Sequence, residues 1–332
     1  MRPESNTNGP KNVLITGASG QDASWLAWQL LHEGAQVWGC DIACDNQWRL
    51  REFGIENKVD MLPADVLDLP SLIMALQVSQ ADELYHLASQ SFVGSSFSHP
   101  VAAALNTGMG VINVLEAVRI VRPTCRVYNA ATSELFGNGA PDPQNEDTPM
   151  LPSSPYAIAK LSGYHAVRLY REAYGLWACS GILFNHEGIM RGTEFVTRKI
   201  SLAAARIATG RKKSPLILGN MGAKRDWGCA QEYVEAMVLM LRRDTPCDFV
   251  IATGETHSVQ EWAEATFEEV GLDWAKWVTT SAAEERPQDI SCLRGDASKA
   301  LYGLGWKARK TWREIARNMV VTDVERVKGG RL

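Results

Sequence analysis

The chain has 332 residues, 45% hydrophobic and 22% charged, with a formal net charge of −4. That is enough to bury a sizeable core, in one large α/β domain or in two lobes sharing a cleft. The mild acidity gives no sign of a nucleic-acid partner and leaves room for an anionic small ligand at a local basic cluster. Seven cysteines form no Cys-x-x-Cys pair and several lie in apolar runs, which fits a reducing cytoplasm. The start, MRPESNTNGP, is polar, and no apolar run approaches 18 residues, so neither export nor membrane insertion is expected and residues 1–10 read as a flexible tail.

Short apolar, β-branched runs then alternate with longer segments of helical period. The first strand, NVLITG, leads into Gly17-Ala18-Ser19-Gly20-Gln21-Asp22-Ala23, a Gly-x-x-Gly-x-x-Ala turn heading the helix SWLAWQLLHEG, which stops at Gly34. Glycines there let the backbone close on a pyrophosphate seated on the helix N-terminal N–H groups. An ordinary glycine-rich turn has the same letters, but its place between the first strand and the first helix favours a dinucleotide. The second strand, AQVWGCD, ends in Asp41, 24 residues past Gly17. A carboxylate there accepts from the adenosine ribose hydroxyls and repels a 2′-phosphate, favouring NAD over NADP. Alternatively Asp41 is a solvated turn residue, with Asp45 close by and Arg49 or Arg51 able to reach the phosphate site. The third strand, VDMLPAD, sets Asp65 and Val66 to flank an adenine.

ELYHLAS, CRVYNAAT, WACSGILFN and DFVIATG complete the strands. Strand and helix in alternation imply a parallel sheet with helices on both faces and ligands at the carboxyl ends of the strands. From about residue 186 the alternation breaks into loops and isolated helices, which read as a smaller lobe.

The fifth of these strands runs into Thr132-Ser133-Glu134. Farther on, SPYAIAK sets Tyr156 and Lys160 four apart, on one helical face. An ammonium beside a phenol favours the phenolate, lowering a pKa of about 10 towards working pH, so the pair can take a proton from a hydroxyl. Tyrosine and lysine at that spacing are common on helix surfaces, but behind a dinucleotide loop the order is that of short-chain dehydrogenases. Glu134 is either a helix-start carboxylate or an acid–base group within reach of Tyr156. With no His-Glu-x-x-His or paired ligand spacing, no metal is expected.

The stretches TGASGQDASWLA, QWRLREFGI, SQSFVGSSF, ATSELFG, SPYAIAKLSGYHAV, RGTEFVTRKI, LGNMGAKRDWG and LRGDASKALYGLGWK resemble GDP-mannose 4,6-dehydratases, extended short-chain dehydrogenases, from about residue 12 to 320. The resemblance implies a Rossmann-type doubly wound parallel sheet with a smaller C-terminal substrate-binding lobe. The dinucleotide domain would take 11–185 plus about 219–258, and the lobe about 186–218 plus 259–325. Tyr156 would accept the proton from the sugar O4 as hydride leaves C4, and Glu134 would remove the C5 proton and help water leave C6. Hydride would then return to C6, giving a 4-keto-6-deoxy sugar with no net redox change. Thr132 would hydrogen-bond near O4, Ser133 would assist proton traffic, and Lys160 would also hold the nicotinamide ribose.

By the same resemblance Leu87, Ala88, Ser89 and His186 would line the cofactor, His186 as a wall near the nicotinamide. Ser91, Asn185, Arg191, Val196, Lys199, Arg225 and Arg286 would take the GDP-sugar: Asn185 and Arg225 the diphosphate, Lys199 the guanine carbonyl, Arg286 a phosphate or ribose. Arg198 and Lys224 add charge to the same lobe, though any single arginine there could be surface solvation. A homodimer through a bundle that includes the Tyr156 helix is implied, with a tetramer as the alternative.

Three stretches depart from the family. CDIACDNQ lacks the arginine pair that binds an NADP 2′-phosphate, NADP being the family norm, and braces a tetramer. HEGIMRG loses one arginine beside the substrate, and RPQDIS puts Asp289 where a ribose-binding glutamate is usual. A GDP-heptose or other unusual GDP-sugar therefore stands beside GDP-mannose. An epimerase or reductase of the same superfamily would need Tyr156 and Lys160 but no Glu134, and a non-catalytic dinucleotide-binding regulator would need neither.

Overall fold

The computed structural model describes residues 11–331, so the expected tail lies outside the described residues. The first half comprises β1 (Asn12–Thr16), α1 (Gln21–His32), β2 (Gln36–Asp41), α2 (Trp48–Glu52), β3 (Val59–Pro63), α3 (Leu69–Ser79) and β4 (Glu83–His86). A helical run follows: α4 (Val93–Ser98), α5 (Pro100–Ala103), a π-helical turn (Ala104–Met109) and α6 (Gly110–Val121). Then come β5 (Arg126–Thr132), a 3-10 turn (Ser133–Phe136), α7 (Pro155–Tyr174) and β6 (Ala178–Leu183). The remainder holds β7 (Asn185–Glu187), α8 (Val196–Ala208), β8 (Leu216–Leu218), β9 (Lys224–Arg225), β10 (Trp227–Cys229), α9 (Ala230–Leu241), β11 (Phe249–Ile251) and β12 (His257–Ser258). Last are α10 (Val259–Glu268), α11 (Trp274–Trp277), β13 (Val278–Thr280), β14 (Cys292–Leu293), α12 (Ser298–Leu304) and α13 (Trp312–Lys328).

Seven strands form one sheet in the order β11-β6-β5-β4-β1-β2-β3, every pairing parallel. They are the seven runs read from the sequence. Alternate side chains serve opposite faces: Val13 and Ile15 join Leu26 and Met237 on the α1 and α9 side, whereas Leu14, Leu84 and Val127 join Leu72 and Leu115 on the α3 and α6 side. Burial on both faces explains why these strands read as near-continuous apolar runs. The chain reverses its direction of winding between β1 and β4, which opens a crevice at their carboxyl ends.

α7 begins where Ser154 Oγ accepts from Ala157 N at 3.1 Å with Pro155 in the first turn, and it ends at left-handed Gly175. Its inward face carries Tyr156, Ala159, Lys160 and Gly163. A methyl group at Gly163 would meet Val111 Cγ2 at 2.8 Å, so glycine sets how closely α6 and α7 approach. Within Pro100–Val121 an 18-residue window has a mean hydropathy of 1.4, long and apolar enough by length and composition to cross a membrane, although polar residues such as Asn106, Asn113 and Glu116 interrupt it. Half of it is buried, and Val111, Val114, Leu115 and Val118 pack into the core beside the sheet.

A separate hydrophobic cluster unites Ile200 and Ala204 of α8, Trp227 of β10, Trp262 and Phe267 of α10, and Ile315 and Met319 of α13. Ala300 and Trp306 instead pack with Tyr233 and Phe249 against the sheet, and Trp306 Nε1 donates to Glu232 O at 2.9 Å. Buried Asp226 ties the two regions: its carboxylate accepts from Thr253 N at 2.8 Å, Gly254 N at 2.9 Å and Gly295 N at 3.2 Å.

Candidate active site

A cleft of about 780 Å³ lies along the carboxyl ends of the strands. At one end the glycine loop leaves β1. Gly17 has φ +71°, and a Cβ on it would come within 2.7 Å of Ala88 Cα, so only glycine lets the β1 and β4 exits approach this closely. Gly17 N and Ala18 N both donate to Cys40 O, at 2.9 and 3.1 Å, and Gly20 opens α1. Asp41 fastens the arrangement: Oδ2 accepts from Ser19 N at 3.0 Å and Oδ1 from Ala43 N at 3.2 Å. Gly17, Gly20, Gln21, Asp22 and Asp41 line the cleft, followed by Asp65, Val66, Leu87, Ala88 and Ser89. Ser19 turns its hydroxyl to Ala43 O instead. A backbone cradle that a methyl group would fill, with a carboxylate beyond it, fits a dinucleotide.

His186 forms the inner wall. Its ring stacks on Tyr233 at 4.8 Å, and its Nε2 pairs with Asp22 Oδ2 at 2.8 Å. Burial opposes charge on the ring, but the Asp22 carboxylate holds the pKa above the ordinary histidine value. Burial likewise acts to raise Asp22, and His186 with Arg191 outweighs it, leaving that acid below the usual carboxylate range. Each partner thus shifts the other towards its charged form.

Thr132, Ser133, Glu134, Tyr156 and Lys160 share one wall. Thr132 ends β5 and caps the 3-10 turn, its Oγ1 accepting from Glu134 N at 3.3 Å, which aims the following carboxylate into the cleft. The local acid–base balance corrects the sequence expectation. Burial raises the Tyr156 phenol and the Glu134 charge adds to the rise, while the hydroxyls of Thr132 and Ser89 pull it down. Lys160 does not lower it: Nζ donates to Ala130 O at 2.7 Å and stands 5.8 Å from the tyrosine ring centroid. Burial pushes the ammonium itself down to about 8, against the pull of Asp22.

On the far side Ser91, Asn185, Arg191, Arg225 and Arg286 also line the cleft. Arg225 is largely engaged: Nη2 donates to Asp289 Oδ1 at 2.8 Å and Nη1 to Ile290 O at 2.7 Å. Arg286 is freer, 3.7 Å from Glu134 and 3.9 Å from Asp289. Arg191 lies 3.5 Å over the Phe195 ring, with Nε 3.0 Å from Glu187 but not aligned to hydrogen-bond it. Val196 and Lys199 do not line the cleft. Val196 packs on the second cluster, and Lys199, on the outer face of α8, pairs with Glu284 at 3.8 Å. Arg198 is also withdrawn, paired in the interior with Asp323 at 2.8 Å. Among the described residues no group of three or more His, Cys, Asp or Glu is placed to hold a metal ion.

The sequence profile described as GDP-mannose 4,6 dehydratase matches residues 14–319. The chain belongs to the GDP-mannose 4,6-dehydratase family. A GDP-mannose 4,6-dehydratase of Sordaria araneosa is 39% identical over 342 residues, covering 97% of this chain but 63% of the relative, so the chain spans just under two thirds of that protein. GDP-mannose 4,6 dehydratase 2 of Arabidopsis thaliana is 43% identical over 330 residues, covering 96% of this chain and 88% of the relative. The solved dTDP-glucose 4,6-dehydratase of Streptomyces venezuelae, with NAD and TYD bound, has a TM-score of 0.85 at 21% identity over 96% of this chain and 98% of that one, a likeness of fold.

Within this GDP-mannose 4,6-dehydratase family member, two departures have visible consequences. Met190 of HEGIMRG is fully buried, its sulfur 3.8 Å from Arg326 Nη2, so its side chain does not line the cleft. Asp289 of RPQDIS engages Arg225 and accepts from Asn220 Nδ2 at 3.2 Å. Sequence reasoning gave no role to Glu194 and Phe195, which also line the cleft. Both lie in RGTEFVTRKI, one of the stretches that carry the resemblance.

Proposed function

We propose that the protein converts GDP-mannose, or a closely related GDP-sugar, to its 4-keto-6-deoxy product as a nucleotide-sugar 4,6-dehydratase, a hydro-lyase. The observation that carries this is a carboxylate, Glu134, on the same wall as Tyr156 and Thr132. A plain 4-epimerase or a reductase has no use for a base at C5. Gly17 to Asp22, Asp65, Val66 and Leu87 to Ser89 would hold a nicotinamide cofactor, whose chemistry would be to accept a hydride and give it back within one cycle. Tyr156 takes the O4 proton, with Thr132 holding that oxygen and Ser133 beside it. The resulting 4-keto group acidifies C5–H, Glu134 removes that proton, and the same carboxyl then protonates the departing C6 hydroxyl, leaving a 5,6-ene that takes hydride at C6 and, at C5, the proton Tyr156 had accepted. Arg286, Arg191 and Asn185 face the diphosphate, with Arg225 held behind them by Asp289. Lys199 is assigned to the guanine only if its pairing with Glu284 yields. Incubation with GDP-mannose should give a product lighter by one water; no conversion of any GDP-hexose or GDP-heptose would overturn the reading.

For the cofactor we infer NAD. The Asp41 oxygens each keep a lone pair beyond the backbone bonds they accept, which suits ribose hydroxyls and repels a 2′-phosphate. NAD is expected to bind at least about tenfold more tightly than NADP, a difference of about 1.4 kcal/mol, and Asp41→Ser to narrow the gap. Titration of both cofactors checks this, and tighter NADP binding in the unaltered protein would reverse the assignment.

We propose that 11–185 plus about 219–258 bind the dinucleotide and 186–218 plus 259–325 the sugar nucleotide, although Ala300 and Trp306 pack on the sheet side and Trp227 packs on the second cluster. Exposed Leu105, Met109, Ile158 and Leu169 on the π-helical turn and α7 favour a homodimer through these helices, with a tetramer as the alternative. The seven free cysteines favour the cytoplasm.

A further inference from the structure

Three arginines from three elements close on two consecutive carbonyls in HEGIMRG. Arg198 of α8 and Arg326 of α13 donate through Nη1 to Ile189 O at 2.7 and 2.6 Å. Arg49 of α2 donates through Nε to Met190 O at 2.7 Å. The first two are locked from behind: Arg198 pairs with Asp323 at 2.8 Å, and Arg326 with Glu52 at 3.1 Å. The loop they anchor carries Arg191 and follows directly on His186, so one rim of the cleft is rigidly held.

Arg49 also reaches the other rim, its Nη1 donating to Ser19 O of the glycine loop at 2.7 Å. It lines the cleft itself. Burial lowers its pKa to about 10, with Glu194 pulling upward, so it stays charged at working pH. Both of its acceptors are backbone carbonyls, and no side-chain change at Ser19 or Met190 removes them. Charge-assisted bonds of this length are the strong kind. One guanidinium thus spans from the loop that would wrap the pyrophosphate to the loop behind the nicotinamide wall.

We propose that Arg49 is a clasp across the cofactor half of the cleft, a positioning residue that slows release of the bound dinucleotide by holding the two rims together. This rests on the dinucleotide reading above. A dehydration that returns its hydride needs no exchange of cofactor between turnovers, so slow release costs no turnover. The bond that must open for exit is the Arg49 bridge.

The test loads the full chain with NADH, and separately NADPH, and chases with excess oxidised cofactor while following the fluorescence of the reduced form. Arg49→Gln is expected to release NADH at least about tenfold faster than the unaltered protein, with a smaller change in KM for the sugar nucleotide. Arg49→Lys, which keeps the charge but not the two-armed fork, should fall between them and serves if the glutamine variant does not fold. Release at the unaltered rate in whichever variant folds overturns the clasp. So does an acceleration confined to NADPH, which would mean that Arg49 binds the 2′-phosphate directly. An unaltered protein that binds neither cofactor would instead defeat the dinucleotide reading before any variant is compared.

Discussion

Glu134→Gln is expected to lower water elimination by about a thousandfold, within the range general acid–base catalysis supplies, while the cofactor still binds. The side chain keeps its size and its place after Thr132, so the 3-10 turn and the cleft wall should persist. Mixing the variant with sugar nucleotide should give one burst of reduced-cofactor absorbance and then a stall, with no exchange of the C5 hydrogen into deuterated solvent. A second effect has a definite sign. The Glu134 charge is one of the causes that raise the Tyr156 phenol, and amidation removes it. The phenolate becomes easier to form, and the acidic limb of the hydride-transfer step should move to lower pH. Steady turnover with normal C5 exchange would remove Glu134 from the elimination. A limb that stays put or moves upward would contradict the electrostatic coupling to Tyr156.

The parts of this site that were legible in the sequence are those that local geometry fixes. A strand, a glycine turn and a helix occupy consecutive residues, so Gly17 to Asp41 declares itself. Thr132 to Glu134 follows one strand end, and Tyr156 with Lys160 is one turn of one helix. The seven sheet strands were equally legible, because burial on both faces leaves little but β-branched and apolar residues in them. What the sequence hides is where long side chains spend their charge. Lys160 is one turn from Tyr156 yet serves the Ala130 carbonyl, and Arg225 is directed to Asp289, 64 residues farther on. Lys199 sits one helical turn from Val196 yet pairs with Glu284 and does not line the cleft. Arg49 reads in the sequence as one of two arginines able to reach the phosphate site, and only the folded chain brings Ser19 and Met190 to either side of it. The packing at α12 is hidden for the same reason: Ala300 and Trp306 follow the substrate-lobe segments in sequence but find their apolar partners on β11 and α9.

Tyr156→Phe is expected to fail one step earlier than Glu134→Gln, and that difference identifies the two roles. Without the hydroxyl nothing accepts the O4 proton, so the burst of reduced cofactor itself should vanish, with turnover down about a thousandfold or more. The direction of the pH dependence follows from burial. In the unliganded cleft the phenol is raised above its ordinary value, so at neutral pH it carries its proton, and the rate of hydride transfer should climb as pH rises and the phenolate forms. In Tyr156→Phe the residual rate should lose this climb. Lys160→Met should cost less than Tyr156→Phe, because the ammonium donates to Ala130 O and not to the phenol. Since burial holds Lys160 near 8, its charge is already fading in the range where the phenolate gains, and the two titrations work against each other. A broad optimum above neutrality is the expected profile of the unaltered enzyme. A variant order with Lys160→Met worse than Tyr156→Phe would mean that the lysine, not the tyrosine, handles the O4 proton.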